Sequence, residues 1–318
     1  VRRDLADGLE QALQAASAER VRLALADICP PKPAAIRTST FRWSIKVDRI
    51  DFVDAFEPED WAGVEELVVD VTRDHPTLLS DQLDRLSGII GRERIRLALP
   101  PLTRKWEEEN VRHKVAKLLA AGWAKWEAAN LSAWSYLGLD PARPNTDAID
   151  LTTDWSVYVV NRAAALQLEA MGVRRFVLSP EDGLGNLRPL LAEFGQRAVV
   201  IVHQDTPLFL AESCAYANLI GGCPGKANCS FESMEMTSSH GERVTALDYH
   251  CRTIVLNQGP FCLSTRLKDL AAAGAVSLRA DFIYRKYEPG RVRAVWRAVR
   301  AGKAVAGGHA ANFDRGME

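Results

Sequence analysis

The chain has 318 residues, roughly twice the commonest domain size, with 47% apolar residues and 40 basic against 41 acidic side chains, a net charge of −1. That is enough to bury a full core, and it excludes the chain-wide basicity of a protein that coats nucleic acid. No run approaches about eighteen consecutive apolar residues and no charged-then-apolar leader is apparent, so we expect no membrane span or export signal and a cytoplasmic location.

Residues 2–26 read as a helix, with Leu5, Leu9, Leu13, Val21 and Leu25 near helical spacing, and Pro30, Pro31 and Pro33 end it. Residues 1–40 are therefore expected to be an appendage, a helix and a proline-rich linker, ahead of one domain spanning 41–318. From Phe41 onward, short aliphatic or β-branched runs alternate with helical stretches. The runs fall at 43–47, 66–72, 95–100, 124–128, 148–152, 175–179, 198–202 and 276–282, eight candidate strands. Helical periodicity is clearest at 106–121, where Val111, Val115, Leu118 and Leu119 share a face, and again from Asn161 to Met171. Alternation of this kind implies right-handed βαβ units, and eight of them predict an α/β fold, a (β/α)8 TIM-like barrel. No dinucleotide fingerprint or P-loop occurs; Gly183 and Gly185 read as a turn before a helix.

About seventy residues separate the seventh strand from the eighth, and this interval, 205–265, holds five of the six cysteines. In a barrel the loops after strands form the catalytic face, so a cysteine-rich insertion here is expected to lie over the mouth. Eight residues separate Cys214 from Cys223, five separate Cys223 from Cys229, and twenty-one separate Cys229 from Cys251. Structural zinc sites usually take paired cysteines two to four residues apart. The wider spacing suits an iron–sulfur cluster better, and Gly221, Gly222, Pro224 and Gly225 suit a backbone wrapped tightly around it. Zinc and inert buried thiols are the alternatives. Cys262, in an apolar run, reads as core; Cys29 reads as structural, with a remote ligand role or a histidine ligand left open.

The stretch WSVYVVNRAAALQLEAMGVRRFVLSPE, followed by TPLFLAESC, CRTIVLNQ, RADFIYRKYEPG and NFDRG, resembles the U-32 (collagenase-like) peptidase family from about Asp150 to Gly316. The resemblance implies a barrel-like fold. It also implies a cysteine-bound iron–sulfur cluster, of the 4Fe–4S kind, in members that hydroxylate RNA bases or ubiquinone precursors without oxygen, some with prephenate as a small anionic oxygen donor. The chain departs from the family pattern: the stretch from Phe209 to Cys214 lacks the usual glycine, and eight rather than six residues lead to Cys223. This marks a divergent branch. The opening Val1 and the end just after NFDRG suggest a piece of a longer chain, with a further domain or a partner subunit.

Polar residues at strand ends are expected to line the barrel mouth. His203 is the expected proton carrier by residue type, with Glu127 and Asp281 as carboxylates; Arg252, Arg279 and Asn130 are the expected substrate-binding groups. Cys214, Cys223, Cys229 and Cys251 are the expected metal ligands. The basic stretch 290–303 puts Arg293, Arg297 and Arg300 on one helix face, a surface that could track RNA phosphates or simply be solvated. The expected activity is that of an iron–sulfur-dependent, oxygen-independent hydroxylase or related modifying enzyme acting on RNA bases or a small aromatic metabolite. A metal-assisted peptidase and a non-catalytic module stabilised by zinc or a cluster are the alternatives; no HExxH helix or GxSxG elbow supports the peptidase.

Overall fold

The computed structural model describes residues 2–28, 40–73, 76–143, 148–225, 227–237 and 239–316. Eight parallel strands close a barrel: β1 (Arg42–Val47), β2 (Val64–Asp70), β3 (Ile95–Ala98), β4 (Lys125–Ala128), β5 (Asp150–Thr153), β6 (Val173–Leu178), β7 (Ala198–Gln204) and, after a long insertion, β13 (Ser277–Phe282). Every one of the eight predicted runs is a barrel strand. Pairing of Phe176, Val177 and Leu178 with Ala198, Val199 and Val200 closes the ring between β6 and β7, and β13 lies between β7 and β1.

The helices α2 (Pro76–Ile90), α3 (Glu108–Ala120), α4 (Ser132–Leu137), α5 (Arg162–Ala170), α6 (Leu184–Phe194), α8 (Leu267–Ala273) and α9 (Pro289–Arg300) surround the barrel. In α3, Val115 and Leu118 are buried and Val111 and Leu119 pack beside them, as their spacing predicts. Only two short 3₁₀ turns, Ile50–Val53 and Pro58–Trp61, join β1 to β2. The helix α1 (Arg2–Ile28) matches the predicted N-terminal helix, and its side chains from Asp4 to Ala24 are all exposed. The proline-rich segment and Cys29 lie outside the described residues.

Strand residues alternate between two buried layers. Ile45 and Val47 face the apolar layer under the helices, whereas Lys46 faces a polar lumen. Towards the strand starts, Arg96 bonds Glu66 at 2.9 Å and pairs with Asp150 at 3.1 Å, and Arg175 also reaches Glu66, at 2.8 Å. In α9, Val292, Trp296 and Val299 are buried, and the opposite ridge is neutralised rather than left free. Arg293 and Arg297 bind Asp60 and Glu57, and Arg300 donates to the Asp60 carbonyl oxygen.

Candidate functional site

The insertion between β7 and β13 builds a second sheet, antiparallel in the order β8 (Pro207–Ala211), β11 (Arg252–Asn257), β10 (Arg243–Tyr249), β9 (Ser233–Thr237). A short helix, α7 (Ala215–Ile220), follows β8, and the two-residue strand β12 (Phe261–Cys262) returns the chain to the edge of β7. The ladder pairs Thr253 with Ala211, so the residues just before Thr253 and just after Ala211 leave the sheet at the same end. Cys251, two residues before Thr253, and Cys214, three residues after Ala211, lie at that end. Thr253 holds this end together, because its hydroxyl donates to the Ser213 carbonyl at 2.9 Å and accepts from the Ala215 N–H at 2.8 Å.

Cys251 sits in the two-residue turn between β10 and β11, where Tyr249 pairs with Arg252. His250 and Cys251 both have positive φ, 54° and 61°. A two-residue turn of this hand normally takes Asn-Gly, and a side chain of any other kind costs about 1–2 kcal/mol per residue. The turn is held from both sides. Asp248 accepts from the Cys251 N–H at 3.0 Å, and Arg104, from the loop after β3, donates to the carbonyls of His250 and Cys251 at 2.8 and 3.2 Å. Burial pushes the Cys251 thiol up in pKa; Asp248, Cys223 and Cys229 reinforce this, and Arg104 opposes it. Cys223 and Cys229 thus lie within the electrostatic reach of Cys251, in a glycine-bent loop where Gly221 and Gly225 have φ of 81° and 83°. Among the described residues no three Cys, His, Asp or Glu side chains are close enough to share one small ion. Cys214 and Cys251 stand at one end of the inserted sheet, with Cys223 and Cys229 in the loop that follows α7; thiol donors are the ligand chemistry of iron–sulfur clusters.

A cleft of about 700 Å³ opens beside these thiols, between the insertion and the loops after β2 and β3. Cys229, Cys251, Arg73, Arg104, Trp106 and Phe231 border it. Below it, Arg73 reaches Asp48 at 3.2 Å, and the Tyr284 N–H donates to the same carboxylate oxygen at 2.9 Å. Burial of Asp48 outweighs these partners and raises its pKa to about 6. Its other oxygen has no hydrogen-bond partner among the described residues. Tyr249 from the insertion packs edge-on against Tyr284, their ring centroids 5.7 Å apart, and so docks the second sheet on the barrel mouth.

The expected catalytic and substrate-binding residues fall into separate places. Glu127, Arg279 and Asp281 meet in the lumen with two residues the sequence reading passed over, Lys46 and Asp154. Arg279 donates to Glu127, Asp154 and Asp281, each at 2.6 Å, and Lys46 donates to Glu127 and Asp154 at 2.7 and 2.6 Å. Gln204 adds a bond to Asp281 at 2.7 Å. All are nearly inaccessible to solvent. Burial opposes the Asp154 charge, but Lys46 and Arg279 together hold its carboxyl well below the usual range; for Asp281 burial wins and the pKa rises. The network consumes its own donors and borders none of the clefts. Arg252 is likewise spent, on Glu212 at 2.6 Å and Glu107 at 2.9 Å, at the edge of a smaller cavity next to the cleft. Asn130 caps its own loop, accepting from the Ser132 N–H and donating to the Pro101 carbonyl.

His203 points away from the mouth. The register between β7 and β13 shifts so that Arg279 pairs with Ile201 but Ala280 pairs with His203. This shift turns His203 to the outer face, against Phe282, and leaves Gln204 to enter the lumen. Cys262, paired with His203, is buried and lies 3.3 Å from the Ser264 hydroxyl, a core position as expected.

Fold and site together define a (β/α)8 barrel with a cysteine-bearing sheet over its C-terminal face. No family model and no curated protein matches the chain. Among solved structures, the spore cortex-lytic enzyme SleL of Bacillus cereus is similar at 11% identity and a TM-score of 0.37, covering 86% of this chain and 77% of that one. A likeness that slight carries no argument about activity. No described helix is long and apolar enough to cross a membrane.

Proposed function

We propose that the chain is an iron–sulfur enzyme of the oxygen-independent hydroxylase type, acting on a flat aromatic ring, either an RNA base or a small aromatic metabolite. The observation that carries this reading is that Cys229 and Cys251 border one cleft at the end of the inserted sheet where Cys214 also stands, with Cys223 within electrostatic reach of Cys251. When bound, the cluster supplies an electron-transfer centre, with a coordination position for an oxygen-bearing ligand if one iron lacks a protein thiolate. The chain's own residues do the rest. Trp106, 74% exposed, and Phe231 offer ring faces for stacking at the cleft wall. Arg73 and Arg104 put guanidinium groups on the cleft wall, alongside Glu107 and Asp248, and can donate to an anionic group of donor or substrate. Asp48, titrating near 6 and joined to the cleft through Arg73, can hold or release a proton in the neutral range.

The test is iron and acid-labile sulfide analysis with a visible spectrum on protein purified without oxygen, repeated for each cysteine variant. Iron and sulfide in equal amounts, lost in each of Cys214→Ser, Cys223→Ser, Cys229→Ser and Cys251→Ser but kept in Cys262→Ala, is the expected result. Zinc in place of iron, or retention of iron in Cys251→Ser with loss in Cys262→Ala, overturns the assignment. Casein cleavage that survives loss of the cluster would favour the peptidase instead.

A further inference from the structure

A separate cleft of about 740 Å³ lies outside the barrel, between the end of β7 and the start of α9. The segment after β13 supplies Arg285, Lys286 and Arg291, and a wall is made where Gly259 meets Gly307 so closely that a Cβ on Gly259 would stand 1.9 Å from the Gly307 carbonyl oxygen. His203 borders this cleft. It is 1% exposed, and neither ring nitrogen has a hydrogen-bond partner among the described residues. A buried polar group without a partner is rare enough to call for a reason.

Three cations and two carboxylates line the cleft, an excess of one positive charge. Asp205 is occupied, accepting from Arg285 at 2.9 Å and from the Tyr287 hydroxyl. Arg285 also donates to the Asn257 carbonyl. Lys286 and Arg291 are exposed at the rim, where Lys286 stands 4.0 Å from the exposed Glu232 carboxylate and Glu288 lies between them in the chain. In (β/α)8 barrels the loops after the seventh and eighth strands, with a helix N-terminus, are a frequent phosphate station. Burial drives the His203 pKa down to about 4, with Asp205 pulling weakly the other way, so the ring is neutral near pH 7 and offers one donor and one acceptor. A hydroxyl group answers either nitrogen, whereas a bare carboxylate answers only the donor.

We propose that this cleft binds a small hydroxylated phosphate ester, its phosphate on Lys286 and Arg291 and a hydroxyl on His203. The site is independent of Cys214, Cys223, Cys229 and Cys251, and no cysteine lines it, although Cys262 pairs with His203 through the backbone. The experiment is titration calorimetry of the full chain with ribose 5-phosphate, inorganic phosphate and ribose as probes. Ribose 5-phosphate should bind at least tenfold more tightly than inorganic phosphate, and ribose should not bind measurably. Arg291→Ala should weaken ribose 5-phosphate at least tenfold. His203→Leu removes an unpartnered polar group and so should still fold; it should erase the advantage of ribose 5-phosphate over inorganic phosphate. Cys214→Ser should leave all three titrations unchanged. No binding of ribose 5-phosphate, no preference for it over phosphate, binding indifferent to both cleft variants, or loss of binding in Cys214→Ser would each overturn the proposal.

Discussion

Arg279 and Glu127 meet at 2.6 Å in the barrel lumen, each about 1% exposed, although their strands stand on opposite sides of the ring, four steps apart in either direction. Two long side chains span what would otherwise be a void. Around them two cations, Lys46 and Arg279, face three carboxylates, Glu127, Asp154 and Asp281, an excess of one negative charge. Removing different carboxylates should therefore have different consequences. Glu127→Ala leaves two buried cations short of a shared acceptor and should cost about 3–5 kcal/mol in urea unfolding. Asp281→Asn relieves the excess while keeping an acceptor, and should cost less than half as much. Equal losses would mean that the charge balance of the lumen does not matter to stability.

The strands were legible because each is a short run rich in apolar or β-branched residues between turn residues, and the position of the insertion followed from the interval between the last two. The lumen network was not. Glu127, Arg279 and Asp281 stood out as charges within strands, but Lys46, inside β1, and Asp154, one residue past β5, carry no signal that marks them as their partners, and only ring closure brings β4 and β13 together. His203 was misplaced for a different reason. Strand parity predicts an inward imidazole, and the register shift opposite Arg279 and Ala280 reverses it, a feature no residue type announces. Asp48 was missed because it stands one residue beyond β1, where the alternation that aims it inward has no further strand residue to reveal it.

Asp48 makes the pH dependence of stability specific. Its folded pKa of about 6 lies above the ordinary 3.8, so the folded state holds a proton between these values that the unfolded chain has released. Stability from this group is thus full below about pH 4 and is lost as pH rises through 6, a penalty on the order of 3 kcal/mol at neutral pH. His203 acts in the opposite sense: its folded pKa of about 4 lies below 6.5, so the unfolded chain binds the proton first and stability is lost as pH falls from about 6.5 to 4. Asp48→Asn should therefore raise the melting temperature at pH 7.5, leave it nearly unchanged at pH 4, and steepen the rise of stability with pH between. A variant less stable at pH 7.5 would show that the Arg73 contact outweighs the burial of the charge.

The arginine ridge of α9 gives a structural prediction where the sequence suggested an RNA surface. Asp60 is 3% exposed and accepts from Arg293 at 2.9 Å and from Arg297 at 2.5 Å, while Arg297 itself is about half exposed. Asp60→Ala leaves Arg293 and Arg297 to share Glu57, removes the buried acceptor of the Glu57 N–H, and should cost at least about 2 kcal/mol. Arg297→Ala removes a half-solvated partner and should cost less than about 1 kcal/mol. Thermal melts of the two variants decide the point; similar losses would indicate that Arg297, through its stem, is packing the helix rather than serving as one of two exchangeable partners.

Arg104 is the residue by which the barrel grips the cysteine turn. It is anchored in the loop after β3, bonds the Glu212 carboxylate at 2.7 Å, and donates to the carbonyls of both residues with positive φ, His250 and Cys251. A turn with two strained side chains relaxes unless something opposes it, and Arg104 with Asp248 provides that opposition from two directions. It supplies no ligand. If the chain holds the cluster proposed above, Arg104→Gln should leave iron and sulfide content near that of the parent chain under anaerobic conditions but speed the loss of visible absorbance to a chelator by tenfold or more. His250→Gly, which permits positive φ without cost, should recover part of that lifetime in the double variant. If Arg104→Gln fails to assemble a cluster at all, and His250→Gly does not help, then Arg104 acts in forming the site rather than in holding a formed turn in place.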